Sequence, residues 1–147
     1  MGYSGQLTYT IDSDNRLMIP AKLRNYIFND DKIKKITITR GFDRNLMILN
    51  QEGWEKFKEN LFRYSRTTEY RKIINWFVGV AETMDIDAQG RIKIPEFLLV
   101  QFNIKKHVVI TKDKNSLLVW NPEIYADYIG EIESTLNKNL DDMKLSF

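Results

Sequence analysis

The 147-residue chain contains no cysteine. Disulfides, thiol nucleophiles and cysteine-bound zinc are excluded together, and the absence fits a cytosolic setting. Histidine is nearly absent too: the single one, His107, follows Lys105-Lys106 at the edge of a predicted strand and reads as an ordinary surface or interface residue. No serine sits in a glycine-flanked elbow, and no glycine-rich loop could cradle a phosphate. The nucleophile, base and orienting group of a hydrolase are therefore not assembled. Apolar runs are short, and none reaches the ~18 continuous residues of a membrane span. Residues 1–6 carry neither a basic n-region nor an apolar h-region, so no secretory signal is expected. Net charge is small, +2, but unevenly placed. Residues 121–147 hold 2 Lys/Arg against 6 Asp/Glu, and residues 1–120 hold 20 against 14. A mildly basic body with an acidic tail is a faint nucleic-acid signal. On charge alone an ordinary soluble surface is the favoured reading.

What the chain does have is enough apolar residues for a core, 43% with three Trp, and an internal repeat. Asp12 corresponds to Asp87, Arg16 to Arg91 and Pro20 to Pro95, each 75 positions apart (87 − 12, 91 − 16, 95 − 20). Leu23 and Leu98 continue the match. A second block, 46–52 against 117–123, repeats at an offset of 71 (117 − 46). The first copy thus holds four extra residues (75 − 71), placed between Lys22 and Asp31.

Each copy reads alike. Leu7-Thr8-Tyr9-Thr10-Ile11 alternates as a half-buried strand does; 12–15 is turn chemistry, and Leu17-Met18-Ile19 resumes the strand. Pro20 suits the first turn of a short helix. Ile36-Thr37-Ile38-Thr39 is a β-branched strand, 41–45 turns, and 46–49 returns. In the second copy a strand lies near Thr83, a turn at 87–90, strands at 92–94, 108–111 and 117–120, and a helix at 96–102. Asn121-Pro122-Glu123 is a helix start. Tyr125, Tyr128, Ile129, Ile132 and Leu136 share one face of that helix. Asn50 opens the matching helix, with Trp54, Phe57 and Leu61 inward, and a further helix after Thr68 aligns Tyr70, Ile73, Ile74 and Phe77. These aromatics read as core or subunit-interface packing. The expectation is an α+β chain of two pseudo-symmetric β-β-α-β-β units: a first repeat over 1–66, a connecting helix over 67–82, and a second repeat with the acidic tail over 83–147.

The unit Asp-x-x-x-Arg before an apolar strand and Pro occurs twice. An Asp opening a turn accepts a hydrogen bond from a backbone N–H two residues on. Gly90 takes positive φ freely, and Asn15 is the next-best residue there. Such a turn projects Arg16 or Arg91 from a stiff hairpin end. Arginine suits phosphate or a guanine edge. The competing reading is that Asp and Arg merely brace the turn. The pairs Asp12/Asp14 and Asp85/Asp87 also invite a metal or two-carboxylate reading, but lone acidic pairs near turns are usually solvated turn residues. Lys105-Lys106 and Lys32-x-Lys34-Lys35 are basic patches, read first as solvated loops and second as contacts to phosphate.

On these motifs the sequence resembles the MraZ family, whose fold belongs with the AbrB-like swapped-hairpin transcription factors. Residues 5–12 and 16–24 look like the family's first motif, 88–95 like its second, and 119–123 like its closing strand-to-helix segment. The resemblance spans nearly the whole chain. It implies a small double-ψ or swapped-hairpin β-barrel with flanking helices. It further implies a cytoplasmic, nucleoid-associated repressor that binds short direct repeats of double-stranded DNA near the promoter of a division and cell-wall gene cluster. Assembly into a closed homo-oligomeric ring is implied, with no enzyme activity, cofactor, small-molecule substrate or membrane. The Asp-x-x-x-Arg loops are the contacting elements. Arg16, Arg91, Asn15, Gln89, Gly90 and Lys93 are the residues expected on DNA, and Asp12 and Asp87 stabilise the loops. One departure stands out: the family commonly has Lys-Gly where this chain has Asp14-Asn15, a negative charge beside the proposed contact. The alternative function is a structural or adaptor ring without a nucleic-acid role.

Overall fold

A computed structural model describes residues 7–28, 34–63 and 67–145. Five helices and eight strands occupy them: β1 (Thr8–Thr10), β2 (Arg16–Met18), α1 (Ala21–Phe28), β3 (Lys35–Arg40), β4 (Leu46–Asn50), α2 (Gln51–Arg63), α3 (Thr68–Phe77), β5 (Glu82–Asp85), β6 (Arg91–Lys93), α4 (Glu96–Gln101), β7 (His107–Lys112), β8 (Ser116–Trp120) and α5 (Pro122–Asp142). The expected basic residue Lys32 and motif residues Gly5 and Gln6 lie outside the described residues, as does part of the stretch expected to hold the four extra residues; β3 and β7 register at an offset of 72 (107 − 35), so three of the four precede β3 and one lies in the turn before β4.

The strands form one antiparallel six-stranded sheet, in the order β1-β7-β8-β4-β3-β5, and a separate ribbon of β2 and β6. This order reads as its own mirror when each strand is exchanged for its repeat equivalent. The registers locate the symmetry. Leu17 faces Ile92, and Met47 faces Leu118. Both are pairs of repeat equivalents (92 − 17 is 75, 118 − 47 is 71), so a pseudo-two-fold axis passes through them. The repeats also exchange strands: β1 pairs with β7 of the second copy, and β5 pairs with β3 of the first. Neither repeat completes its own sheet.

Alternation along the strands makes two apolar layers, because successive side chains point to opposite faces. Leu46 and Ile48 join the main core with Leu17, Ile19, Ile92, Ile94, Ile36 and Ile110. Met47 and Leu49 face the other way, onto Trp54 of α2 and Phe77 of α3. The ribbon packs its inner face into the main core, and α1 and α4 add Leu23, Ile27, Leu98 and Leu99.

Three expectations change in detail. Among the described residues the barrel is not a closed ring of strands. The sheet ends at β1 and β5, and β1 is tied to β2 only through an Ile11–Leu17 bridge, because the turn after Ile11 carries the chain out of the sheet into the ribbon. Pro20 precedes α1, its carbonyl accepting from the Leu23 and Arg24 N–H groups at 2.9 Å each. The helical stripes are only partly covered. Phe77 is buried, whereas Tyr70, Ile73 and Trp76 of α3 remain exposed. Along its 21 residues α5 has none fully buried, although Tyr125 and Tyr128 pack on Trp120 at 5.1 and 4.8 Å between ring centroids.

The ribbon's two faces differ sharply, and that difference is testable. Leu17→Ala should cost about 2–5 kcal/mol, the range for emptying a buried leucine site. Met18→Ala, on the outer face, should stay within about 0.5 kcal/mol. Urea denaturation checks both.

Candidate nucleic-acid interface

Both turns are built by an aspartate. One carboxylate oxygen of Asp12 accepts from the backbone N–H of Asp14 and of Arg16, at 2.9 Å each. Asp87 does the same for Gln89 and Arg91, again at 2.9 Å. Backbone bonds close each loop: Asn15 N–H to the Asp12 carbonyl at 3.1 Å, and Gly90 N–H to the Asp87 carbonyl at 3.0 Å. The residue before each arginine is left-handed, Asn15 at φ 64° and Gly90 at φ 82°. These are the residue types that tolerate this region. The donors hold both carboxyls below their ordinary value. For Asp12 the Arg16 N–H contributes most, opposed by burial and aided by the Asp14 N–H and the charges of Arg16 and Arg91. For Asp87 the Arg91 N–H leads, burial opposes, and the Arg91 side chain and Gln89 N–H add to it.

The ribbon then fixes where the arginines stand. Arg16 is opposite Lys93, and Met18 is opposite Arg91. Residues directly opposite in an antiparallel pair share a face, as do residues two apart along a strand. Arg16, Met18, Arg91 and Lys93 therefore form one outer face, while Leu17 and Ile92 between them point into the core. The turns sit at opposite ends of this antiparallel ribbon, yet both arginines serve the same surface. Ile19 N–H to the Gly90 carbonyl and Ile94 N–H to the Asn15 carbonyl, each 2.9 Å, extend the ribbon to the turn residues. Gln89 and Asn15 are carried on the turns themselves.

The two turns differ in how they hold their arginine. Arg91 Nε donates to Asp87 Oδ2 at 2.9 Å. The Arg16 guanidinium instead pairs with Asp14 Oδ2 at 3.3 Å, the acidic residue that departs from the family pattern. Both pairs are substantially solvated, and exposed pairs contribute little to stability. A phosphate or base edge could displace either carboxylate at small cost.

The four carboxylates of the acidic pairs are all engaged: Asp12 and Asp87 by the turns, Asp14 by Arg16, and Asp85 by Lys35 at 3.4 Å. They serve as turn and ion-pair residues here. His107 is an exposed residue opposite Thr10 at the start of β7.

Several residues escaped the sequence reading. The two basic patches are symmetry mates that adjoin the two turns. The Lys106 carbonyl accepts from Ile11 N–H at 2.8 Å, next to Asp12, and the Lys34 carbonyl accepts from Ile86 N–H at 2.9 Å, next to Asp87. No local pattern ties a lysine to a turn some 50–90 positions away; strand exchange does. Met18 lies 53% exposed in the middle of the cationic face. Its neighbours Leu17 and Ile19 masked it as part of an apolar run, although strict alternation would have put it outside. Arg24 of α1 reaches the second turn, donating to the Ile19 carbonyl at 2.7 Å.

Comparison with known proteins settles the family. A family model described as the MraZ protein, antitoxin-like, matches the chain twice, over residues 3–74 and 77–147. This chain belongs to the MraZ family. The transcriptional regulator MraZ of Caldanaerobacter subterraneus subsp. tengcongensis is 30% identical over 125 residues, which span 84% of each chain. The two matches to the MraZ model fall on the two halves that the pseudo-two-fold axis relates.

The depressed aspartate pKa values predict how the turns respond to acid. A carboxyl whose pKa is lowered by folding contributes stability that is present above its ordinary value and is lost as pH falls through the lowered one. The movement of the Arg16 and Arg91 amide resonances on acidification, as the N–H groups lose their charged acceptor, should therefore be centred below the ordinary aspartate value of 3.8. Movement centred above 3.8 would contradict the bonding described.

Proposed function

We propose that this chain is a DNA-binding transcriptional regulator that reads double-stranded DNA with the outer face of the β2–β6 ribbon. The observation that carries the reading is the placement of Arg16, Met18, Arg91 and Lys93 on one exposed face, between two aspartate-built turns. A two-stranded ribbon fits the major groove, about 12 Å wide. There, arginine pairs bidentately with guanine and an apolar side chain meets the thymine methyl. Lys34 and Lys106, beside the turns, suit the flanking phosphates, which position a protein without reading sequence. The regulator named in Caldanaerobacter supports the same role. In this reading the chain works without enzyme activity or cofactor, in the cytoplasm and on the nucleoid.

The finer reading follows the family resemblance: short direct repeats near the promoter of its own division and cell-wall cluster are bound, and transcription is repressed. Direct repeats suit a head-to-tail ring, in which successive subunits present the same face at fixed spacing. The exposed Tyr70, Ile73 and Trp76 of α3 offer apolar surface for that contact. Linking several weak sites raises overall affinity by about 10²–10⁴, which offsets the mild basicity of one chain. A ring without DNA binding would bury the same aromatics, and salt-dependent retention on DNA separates the two readings.

Anisotropy titration on the duplex upstream of the chain's own gene cluster, at two salt concentrations, is the test. Arg91→Ala should abolish binding while mass and circular dichroism stay unchanged. Arg16→Ala should weaken it less, because Asp14 already opposes phosphate there. Asp14→Lys should tighten binding and steepen its salt dependence, by a slope of about 0.9 for each added phosphate contact. Wild-type binding by the Arg16→Ala/Arg91→Ala double variant would end the proposal and favour turn bracing. Light scattering at micromolar concentration should give a multiple of the 17.4 kDa chain mass; a strict monomer would rule out the ring.

A further inference from the structure

The two turns are related by symmetry but not equally held. A Cβ built on Gly90 would lie 1.8 Å from Arg24 Nη1 and 2.8 Å from Arg24 Cζ. The guanidinium of Arg24 therefore rests against the glycine that precedes Arg91. The same Nη1 donates to the Ile19 carbonyl at 2.7 Å, and the Ile19 N–H in turn donates to the Gly90 carbonyl at 2.9 Å. Arg24, Ile19 and Gly90 make a closed clasp between α1, β2 and the second turn. Among the described residues no carboxylate pairs with Arg24.

The first turn has no such clasp. The repeat equivalent of Arg24 is Leu99 (99 − 24 is 75), and the identity of position is structural as well. Arg24 and Leu99 both donate their backbone N–H to the proline before their helix, Pro20 and Pro95. Leucine has no side-chain donor, and the left-handed position there is Asn15, which has a side chain where Gly90 has none. Gly90 thus answers two demands, positive φ and room for Arg24, whereas Asn15 answers only the first.

We propose that Arg24 is a positioning residue for the second turn. It fixes the backbone from which Arg91 projects, so that the second turn is a pre-organised reader and the first an adaptable one. The proposal rests on the ribbon being the DNA-reading surface. Holding a contact group in its bound geometry strengthens binding by removing the ordering cost.

The test is a double-variant cycle with Arg24→Leu, which copies Leu99, and Gly90→Asn, which copies Asn15 and displaces the guanidinium without removing it. Affinity is measured on the upstream duplex, and amide hydrogen exchange at 89–91 is measured on the free protein. Each single variant should bind about tenfold more weakly, the scale of one lost hydrogen bond from a charged group. The double variant should be no weaker than the worse single, and exchange at 89–91 should quicken in all three. The salt slope should stay at the wild-type value, because positioning releases no counterions. Losses that multiply, unchanged exchange in Arg24→Leu, or a slope reduced by about 0.9 would each overturn the positioning role. The last would make Arg24 a phosphate contact instead. Should Arg24→Leu fail to fold, Gly90→Asn alone carries the exchange and slope readouts. If the wild type shows no salt-dependent binding, the DNA reading fails, while the exchange comparison still decides whether Arg24 holds the turn.

Discussion

The pairing of Leu17 with Ile92 is the contact on which the rest depends. It lies on the pseudo-two-fold axis, joins the two repeats, and buries one face of a ribbon whose other face is then obliged to be outside. A one-residue slip of either strand would turn its outer pair inward, Arg16 and Met18 or Arg91 and Lys93, and its Leu17 or Ile92 out. Burying unpaired cations costs far more than the slip could recover, so the hydrophobic core itself enforces the register of the cationic face. The same pairing commits each repeat to the other's sheet, which is why neither half has a complete β-structure alone.

Electrostatics refine this scaffold rather than build it. The aspartates are spent on backbone N–H groups within their own turns, which leaves Arg16 and Arg91 attached to solvated carboxylates that a ligand can replace. The copies have diverged where this matters. Asp14 draws Arg16 toward the first turn, Met18 stands where the second copy has Lys93, and Arg24 stands where the second copy has Leu99. The fold is symmetric while its outer face is not, and the two turns are suited to unequal tasks.

Much of this was legible in the residues. The alternation of 7–11 and 36–39 located strands, the repeat offsets carried them to the second copy, and the left-handed positions Asn15 and Gly90 followed from residue type alone. The strand exchange was legible only through the family resemblance, because local alternation does not say which copy a strand pairs with. That gap hid the approach of Lys34 and Lys106 to the turns, and of Arg24 to Gly90. Met18 was hidden for a different reason: three consecutive apolar residues obscure period-two alternation when the ribbon is only three residues wide. Helical amphipathicity marked the α3 stripe as a face, but amphipathicity does not tell a face buried within the chain from one at the surface, and Tyr70 and Ile73 are surface-exposed.

Hydrogen exchange of the whole protein, with and without the upstream duplex, tests the central claim most directly. If the ribbon face reads DNA, added duplex should slow exchange at residues 12–18 and 87–93, and do so less as salt rises. Protection confined to α2, α3 or α5, with the ribbon unchanged, would contradict the account.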